Sequence, residues 1–547
     1  MLLIVRYYNL LKQQNNLWKL YTRDFQNCIK KINKIELLKQ EEKVLDFWNN
    51  FENICNSDYA NLSEIHEKHL LKCLGIYDKG DANSFTIRIR IPFGQLTPHQ
   101  AKKLSSISKI YGKSCVDLTT RGQIEFRHLK LNQLPIVLKE LESVEITTFQ
   151  TAGDNFRGVV TSPLDGYSKT SLISCETYFN EIQDVFLKNE EYIGTLPRKF
   201  NTGILGDTIN DCNIYGQDCA FALASKDNQL GFNLYLGGKV GVQAKQTNLF
   251  IKPNEVKIVF KTIVDLFKKY GFRDNRNKNR MCYFLDEIGL EEFEKAIIKT
   301  SNLDLKSAGT LLVKDEYFIN ETSTIKLKDD KTAIYFSIPA GIFNAEDLEN
   351  LSFLMEKTDS ILRLTHEQSF FIITDDKNVD LIKNSTIYKK YDSFHNIYFN
   401  NLIACAGTNE CSFGVIPNKA DAIEMALYLN SHIPISNAKV RMYWSACPKG
   451  CGVHGVADIG FEGAKAKDEN ENFCNGVKIF LGGKGSNSIL EARQITKAIT
   501  MPKAQEVTKE LLNIYKTEKL ENESFESFDS RYLSTLTVEQ IQEKIGL

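Results

Sequence analysis

Three short motifs occur twice in this chain of 547 residues, in the same order and at nearly the same spacing. The copies lie about 245 residues apart and pair as Ile87–Gly94 with Ile334–Gly341, Val116–Glu125 with Leu362–Phe371, and Gly231–Gly238 with Gly476–Gly483. A period of this length is too long for a stacked-repeat protein. It predicts two α+β halves related by a pseudo-twofold axis, with a site between them.

The two copies differ in the residues that they offer to such a site. At three matching positions the first copy has arginine and the second does not, namely Arg88, Arg90 and Arg121 against Tyr335, Ser337 and Glu367. The second copy instead contains four cysteines in two close pairs. We therefore expect the first half to supply positive charge and the second half to supply a metal centre.

The cysteine pairs are Cys405 with Cys411 and Cys447 with Cys451, with five residues inside the first pair and three inside the second. Glycines lie close to both pairs, so the backbone there can approach an inorganic core closely. Four thiolates are the ligand set of an iron–sulfur cluster.

Spacing alone does not decide what the four cysteines bind. Structural zinc sites usually have two to four residues between paired ligands, which fits the second pair only. Disulfides require an oxidising compartment, and nothing in the sequence indicates export. Unrelated buried thiols are a third alternative. The segment Gly450–Gly455 also reads G-x-G-x-x-G after a β-like run, but a single match of this kind is weak support for a dinucleotide loop.

The pattern C-x5-C, followed by C-P-x-G-C-G and by V-A-D-I-G at Val456–Gly460, resembles the sirohaem- and [4Fe–4S]-dependent nitrite and sulfite reductases. The resemblance implies that all four cysteines bind one [4Fe–4S] cluster and that Cys451 also bridges to the sirohaem iron. It implies the same duplicated fold, with ferredoxin-like half-domains and two larger α+β domains. Lys449 stands where the family often has asparagine.

Further motifs of the family occur in the first half of the chain. Asp117–Arg121, which reads D-L-T-T-R, resembles a segment that holds the sirohaem carboxylates, and the resemblance implies cofactor contacts at Thr119, Thr120, Arg121 and Gln123. Glu125 stands where the family commonly has glutamine. A carboxylate facing a polyacidic cofactor is unfavourable unless it is protonated or turned away.

The remaining candidates are basic residues in three segments. Without the resemblance, basic residues of this kind are most often solvated. Arg157 lies in a D-N-F-R loop, and Leu196–Asn201 reads L-P-R-K-F-N. The resemblance implies that Arg88, Arg157, Lys199 and Asn201 face the substrate anion, and that Arg198, Arg276 and Arg280 bind the cofactor.

Composition and charge narrow the class of protein. The chain has 42% hydrophobic and 25% charged residues, a net charge of −1 and 13 cysteines. A net charge near zero argues against bulk nucleic-acid binding, and scattered cysteines suit a reducing compartment. Met1–Val5 is too short for a signal sequence or a membrane span, so we expect a cytoplasmic protein that binds neither nucleic acid nor membrane.

We expect an N-terminal helical arm over residues 1–80 and paired ferredoxin-like half-domains over 81–147 and 325–400. Residues 148–324 and 401–547 are expected to form the first and second sirohaem-binding domains, the second with the iron–sulfur cluster and a C-terminal tail. Alternating residues predict a strand over 85–94 and a second strand over 116–127. Thr97 and Pro98 predict a helix start, and helical periodicity predicts a helix over Leu290–Thr300.

The resemblance implies an oxidoreductase that reduces a small oxyanion by six electrons, with ferredoxin or a flavoprotein as external donor. Nitrite reductases of the family have asparagine two residues after the pocket lysine, and sulfite reductases commonly have a second lysine there. Asn201 therefore favours nitrite over sulfite. A non-catalytic iron–sulfur or zinc protein is the alternative from another class.

Overall fold

The structure is a computed structural model that describes residues 32–79, 83–314, 323–485 and 488–547. Within these residues the chain forms two five-stranded sheets, two six-stranded sheets and one two-stranded ribbon, Lys484–Gly485 with Ile489–Leu490. We call the five-stranded sheets the first and second small sheets, and the six-stranded sheets the first and second large sheets.

Each small sheet contains one strand from the other half of the chain. In spatial order, the first small sheet consists of Ile76–Asp78, Phe85–Ile89, Ile124–Leu129, Cys115–Leu118 and Ile342–Asn344. The second consists of Thr324–Lys326, Lys331–Phe336, Phe370–Asp375, Ile361–Leu364 and Gln95–Leu96. The exchanged strands pair antiparallel, with Ile342 opposite Asp117 and Leu362 opposite Leu96. The two halves therefore complete each other's sheets.

The two large sheets share one topology, in which three parallel strands are followed by two antiparallel ones. The first large sheet consists of Phe156–Val160, Phe200–Leu205, Cys219–Lys226, Gln229–Leu236 and Lys245–Ile251, with Thr310–Leu311 paired to the third strand. The second consists of Leu402–Ala404, Met442–Ser445, Ile459–Lys467, Phe473–Leu481 and Arg493–Gln494, with Ile499–Thr500 paired to the fourth strand. The repeated order confirms the predicted duplicated α+β fold.

The described helices follow the same division. Those of the first half are Lys34–Leu38, Val44–Asn49, Phe51–Cys55, Leu71–Cys73, Pro98–Tyr111, Leu134–Glu142, Glu176–Phe186, Val256–Tyr270, Met281–Ile288 and Leu290–Ser301, with a π-helix at His66–Leu70. Those of the second half are Ala345–Thr358, Val379–Lys383, Thr386–Asp392, Ile397–Asn400, Lys419–His432, Met501–Glu518, Phe525–Arg531 and Val538–Lys544. None of them combines the length and the apolar character that a bilayer span needs.

Helix Pro98–Tyr111 begins as predicted. The Thr97 side chain accepts a hydrogen bond from the Gln100 amide, the Gln100 side chain accepts one from the Thr97 amide, and Pro98 occupies the first turn. The helix packs against Ala345–Thr358, its counterpart in the second half. The predicted helix over Leu290–Thr300 is also confirmed, as Leu290–Ser301. The part of the predicted N-terminal arm before residue 32 lies outside the described residues.

The prediction of one strand over 116–127 is wrong. Cys115–Leu118 and Ile124–Leu129 are two antiparallel strands joined by a turn. Gly122 adopts φ +59° in this turn, a conformation that glycine tolerates best. The β-forming residues on either side obscured the turn, although the glycine was a signal for it.

The G-x-G-x-x-G match does not form a dinucleotide loop. Such a loop opens a helix, whose N-terminus faces the pyrophosphate. Here Gly450–Gly455 leads through a short 3-10 turn, His454–Val456, into the strand Ile459–Lys467.

One face of the second small sheet is closed by apolar side chains. Tyr335 and Phe371 stand where the first copy has Arg88 and Glu125, and their ring centroids lie 5.1 Å apart. Leu164, from the loop after the first strand of the first large sheet, packs over them in one buried cluster. The second copy of the expected site is therefore filled with side chains.

A buried ion network joins the C-terminal helices to the second large sheet. Arg441 donates to Asp458 at 2.6 Å and to Glu526 at 2.7 Å, and all three residues are at most 8% exposed. Arg441→Met leaves two buried carboxylates without this cation, which should cost about 3–5 kcal/mol. Urea unfolding followed by circular dichroism measures the change.

The matched control is Arg531→Met. Arg531 also pairs with a glutamate, Glu523 at 2.8 Å, but its side chain is 39% exposed. Loss of such a pair should cost no more than about 1 kcal/mol. Equal shifts of the unfolding midpoint in the two variants would contradict a stabilising role of the Arg441 network.

Candidate functional site

The four cysteines meet at one edge of the second large sheet. Strands Leu402–Ala404 and Met442–Ser445 are parallel neighbours, and the carboxyl ends of parallel strands lie at the same edge. Cys405 and Cys447 follow these strands closely and so leave the sheet side by side. The remaining two cysteines follow within the same two loops.

Glycine is required directly after Cys451. A Cβ atom on Gly452 would lie 1.8 Å from the carbonyl oxygen of Trp444, so no other residue fits there without moving the backbone. The Gly452 amide donates to the Ser445 hydroxyl at 3.0 Å. These contacts fold the second cysteine loop back onto its own strand and hold Cys451 at the sheet edge.

The four sulfurs form one electrostatic group. Burial raises the pKa of Cys451, and the thiols of Cys447 and Cys411 add to the rise. Burial likewise raises the pKa of Cys405, with further contributions from Cys451 and Cys447. The two loops therefore bring their thiols into one neighbourhood.

Two N–H groups already point at the Cys405 sulfur. The Ala446 amide donates to Sγ at 3.2 Å, and the Asn418 side chain donates to it at 3.5 Å. Such hydrogen bonds to sulfur occur around iron–sulfur clusters and tune their potentials.

A [4Fe–4S] cluster and a single zinc ion place different demands on four cysteines. Among the described residues, no three or more His, Cys, Asp and Glu side chains are placed to hold one metal ion. A structural zinc site needs four ligands around a single ion, whereas a [4Fe–4S] cluster is larger and spaces its four thiolates further apart.

A buried group of arginines lies in the first half. Arg90, Arg121 and Arg157 each have a buried nitrogen that has no hydrogen-bond partner in the described part of the chain, Nη1 in Arg90 and Nε in the other two. Burial and the charge of Arg157 lower the pKa of Arg90 and of Arg121 to about 9. Like charges buried together in this way favour the binding of an anion.

Neutral acceptors, rather than carboxylates, hold these three arginines. Arg90 donates to the Phe149 carbonyl at 3.3 Å, and Arg121 donates to the Gly158 carbonyl at 2.8 Å. Arg157 donates to the carbonyls of Thr151 and Gly153. Their charge therefore remains available to a ligand.

The other basic candidates are paired with buried acids. Arg280 binds Asp218 through two bonds of 2.9 and 2.8 Å, and Asp218 also accepts from the Asn201 amide at 2.8 Å. Arg276 binds Asp154 through bonds of 2.7 and 2.8 Å, while Arg198 lies 3.5 Å from the same carboxylate.

Glu125 is ionised and faces arginine. It accepts from Arg88 at 2.7 Å and from Arg127 at 2.6 Å. Burial alone would raise the pKa of Glu125, but Arg127 and Arg88 outweigh burial and hold the pKa below its ordinary value. Pairing with two arginines therefore argues against a protonated carboxyl group, and the alternative, that Glu125 is turned away from the cofactor, stays a prediction.

The cysteine loops and the first small sheet are joined by ion pairs. Lys419, eight residues after Cys411, binds Asp117, and Glu410 lies 2.6 Å from His128. At the same junction Lys199 and Arg88 lower the pKa of Cys451 and so partly offset the effect of its burial. The predicted bridging cysteine thus faces the cations of the first half.

Four of the predicted cofactor residues, Thr119, Thr120, Arg121 and Gln123, lie in the turn between Cys115–Leu118 and Ile124–Leu129. The Thr119 hydroxyl accepts from the amides of Arg121 at 3.4 Å and Gln123 at 3.1 Å, so it shapes the turn. The Thr120 carbonyl lies 3.3 Å from a ring nitrogen of His366, in the matching turn of the second half.

Tyr77 belongs to this site and was missed from the sequence. The Arg88 guanidinium lies 5.2 Å from the centroid of its ring, and Tyr77 partly offsets the lowering of the pKa of Arg157 by burial. Tyr77 lies in a segment with no recognisable motif, so no sequence signal pointed to it. The sequence showed Arg90 as one of two alternating arginines. It did not predict that Arg90 is buried or that its hydrogen-bond acceptors are not carboxylates.

Comparisons with known proteins show which family this chain resembles. A family model described as the nitrite and sulphite reductase 4Fe-4S domain matches residues 152–304 and 399–545, and a model of the nitrite/sulfite reductase ferredoxin-like half domain matches residues 77–144.

Among curated proteins, the chloroplastic ferredoxin–nitrite reductase of Spinacia oleracea is 32% identical over 77% of this chain and 74% of its own length. That of Betula pendula is 31% identical over 77% and 75%. The ferredoxin–nitrite reductase of Leptolyngbya laminosa is 27% identical over 83% and 91%. The solved structure of the Mycobacterium tuberculosis NirA protein shares the fold, with a TM-score of 0.84 at 21% identity over 94% of this chain and 98% of that one.

Lys199 should react as a neutral amine near physiological pH. Burial, followed by the charges of Arg280, Arg157 and Arg198, lowers its pKa to about 7, and its side chain makes no hydrogen bond or ion pair within the described residues. Because the pKa is lowered, the charge is present below pH 7 and is lost as the pH rises above it. Exposed lysines stay charged up to about pH 10.

Reductive methylation of the cofactor-free protein at pH 8 should therefore modify Lys199 faster than Lys467, whose side chain is 54% exposed and pairs with Glu471. Peptide mass spectrometry measures both rates. At pH 6 the preference should disappear because Lys199 is then protonated. Slower modification of Lys199 than of Lys467 at pH 8 would contradict the lowered pKa.

Proposed function

The chain belongs to the nitrite and sulphite reductase family, and from that premise we propose that it reduces nitrite to ammonium at a sirohaem coupled to a [4Fe–4S] cluster, with ferredoxin as electron donor. The observation that carries the proposal is the position of the four-cysteine group at one edge of the second large sheet, where ion pairs from the first cysteine loop and the residues after it join it to the first small sheet. Ferredoxin is proposed because the curated relatives bear the name ferredoxin–nitrite reductase.

The residues present fit both groups. Four neighbouring thiols and two N–H donors to sulfur suit the cluster, and buried arginine nitrogens without partners suit a cofactor with many carboxylates. We assign these carboxylates to Arg121 and Arg198, helped by Thr119, Thr120, Gln123, Arg276 and Arg280. When bound, sirohaem supplies an iron that binds the substrate, and the cluster supplies a store of electrons beside it.

The substrate anion is assigned to Arg90, Arg157 and Lys199. None of the three has a carboxylate partner in the described residues, so each can offset the negative charge of nitrite and donate to its oxygens. Arg88, assigned to the anion from the resemblance, is shared with Glu125. We therefore assign Arg88 a weaker part in binding and Arg90 a stronger one.

Protons also have to reach the bound anion. Reduction of nitrite to ammonium takes up six electrons and eight protons and releases two molecules of water. Lys199 can exchange a proton at Nζ near neutral pH because burial and neighbouring arginines lower its pKa to about 7.

The loss of the bridging thiol tests the cofactor assignment. Cys451→Ser should abolish six-electron turnover, because a hydroxyl is a poor ligand for the cluster and for the bridge. Iron and acid-labile sulfide analysis, together with the optical spectrum, measures both groups. Cys474→Ser is the matched control, because Cys474 lies in the same domain outside the two loops. Wild-type spectra and turnover in Cys451→Ser would overturn the assignment.

The nitrite assignment depends on Asn201. Its amide is uncharged, and its backbone is fixed by Asp218, so the pocket has one lysine where a sulfite pocket has two. Sulfite carries more negative charge than nitrite near neutral pH and benefits more from a second cation. Asn201→Lys should therefore shift the ratio of kcat/KM toward sulfite by about tenfold, the worth of one charged contact.

Steady-state assays with reduced methyl viologen as electron donor measure kcat/KM for nitrite and for sulfite and so test this assignment. Wild-type protein should prefer nitrite, and Asn201→Asp should lower activity on both anions. If the wild-type protein prefers sulfite, the assignment of nitrite as the substrate is wrong and sulfite takes its place. An unchanged ratio in Asn201→Lys would show that this position does not set the preference.

A further inference from the structure

Helix Lys34–Leu38 enters the site from a part of the sequence that contains no family motif. Lys39, the residue that ends it, donates to Glu36 at 2.5 Å and to the Leu196 carbonyl at 2.7 Å, and lies 3.1 Å from Asp154. Its side chain is only 9% exposed. A lysine is rarely buried to this extent unless it is paired, and the partners of Lys39 are Glu36 and Asp154.

The same helix is tied to two segments that carry candidate cofactor residues. Glu36 binds Arg273, which also donates to the Thr195 carbonyl at 3.0 Å. The Asn33 amide donates to the Arg273 carbonyl at 2.9 Å. The helix thus holds the L-P-R-K segment and the basic turn that contains Arg276 against each other.

Asp154 is the centre of this network. It is 1% exposed and is shared by Arg276 at 2.7 Å, Lys39 at 3.1 Å and Arg198 at 3.5 Å. Burial alone would raise its pKa, but the three cations, Lys39 first, hold the pKa well below its usual range. One carboxylate thus balances three cations, of which Arg198 is the most distant.

We propose that Lys39 is a positioning residue of the cofactor site, which shares the charge of Asp154 and thereby leaves Arg198 free to bind a sirohaem carboxylate. The proposal rests on the sirohaem site proposed above. Without Lys39 the full charge of Asp154 acts on its two arginines. Arg198 is then drawn from 3.5 Å into a close ion pair, and the cofactor loses a partner.

Sirohaem binding to cofactor-free protein tests this directly. Lys39→Met should raise the Kd for sirohaem by about tenfold, which is the equivalent of one charged contact. Absorbance titration measures this Kd. Lys39→Arg keeps the charge and should bind within about threefold of wild type. Lys43→Met is the matched control from the same arm, since Lys43 pairs with Glu190 but both side chains are more than half exposed, at 71% and 55%.

A double variant separates charge sharing from simple packing. Lys39→Met combined with Asp154→Asn removes both the lysine and the charge that would pull Arg198 away, so sirohaem binding should recover relative to Lys39→Met alone. If Lys39 only packs the helix, the two losses should add. If circular dichroism shows that Lys39→Met does not fold, Lys39→Gln replaces it in the same sirohaem titrations.

Wild-type affinity in Lys39→Met, or additive loss in the double variant, would overturn the proposal for Lys39 and leave the proposed function standing. Failure of the wild-type protein to bind sirohaem would overturn the proposed function itself. The two failures are therefore distinguishable in one set of titrations.

Discussion

An excess of buried positive charge is the constraint on which this site depends. Arg90, Arg121 and Arg157 are held only by neutral acceptors in the described residues. Burial of a charge without compensation costs several kcal/mol. The folded protein therefore tolerates these arginines only if nearby carboxylates compensate part of their positive charge. Two buried acids act on members of this group, Asp218 on Arg121 and Asp154 on Arg157. Their positions decide which cations are neutralised and which remain for a ligand.

The duplicated fold gives the first and second small sheets equivalent faces, but the side chains on these two faces differ. On the first, arginines and glutamate alternate with buried apolar residues of the same strands. On the second, Tyr335 and Phe371 take the places of Arg88 and Glu125, and Leu164 packs with them in one buried cluster. An apolar face is stabilised by burial alone, whereas the charged face requires partners from elsewhere. The cysteine loops and the charged face therefore belong to one site, although they come from opposite halves of the chain.

Several features of the fold and the site could be predicted from the sequence because they depend on short, local motifs. The cysteine spacing, the duplicated motifs and the Thr97 cap each depend on residues close together in the chain. What was missed depends on distant partners. The burial of Arg90, the compensation of Glu125 by Arg88, and the contact of Lys39 with Asp154 join segments that have no common pattern. The turn at Gly122 was overlooked for another reason, since strong β-forming residues flank it on both sides.

The exchange of strands between the small sheets also bears on how the chain is made. Strand Cys115–Leu118 receives its outer neighbour only from Ile342–Asn344. At ribosomal speeds of roughly 5–20 residues per second, the neighbour emerges roughly 10–45 s later. During that interval the nascent chain exposes an unpaired strand edge, a common starting point for aggregation. That edge stays open to pairing with another chain until the second half has been translated.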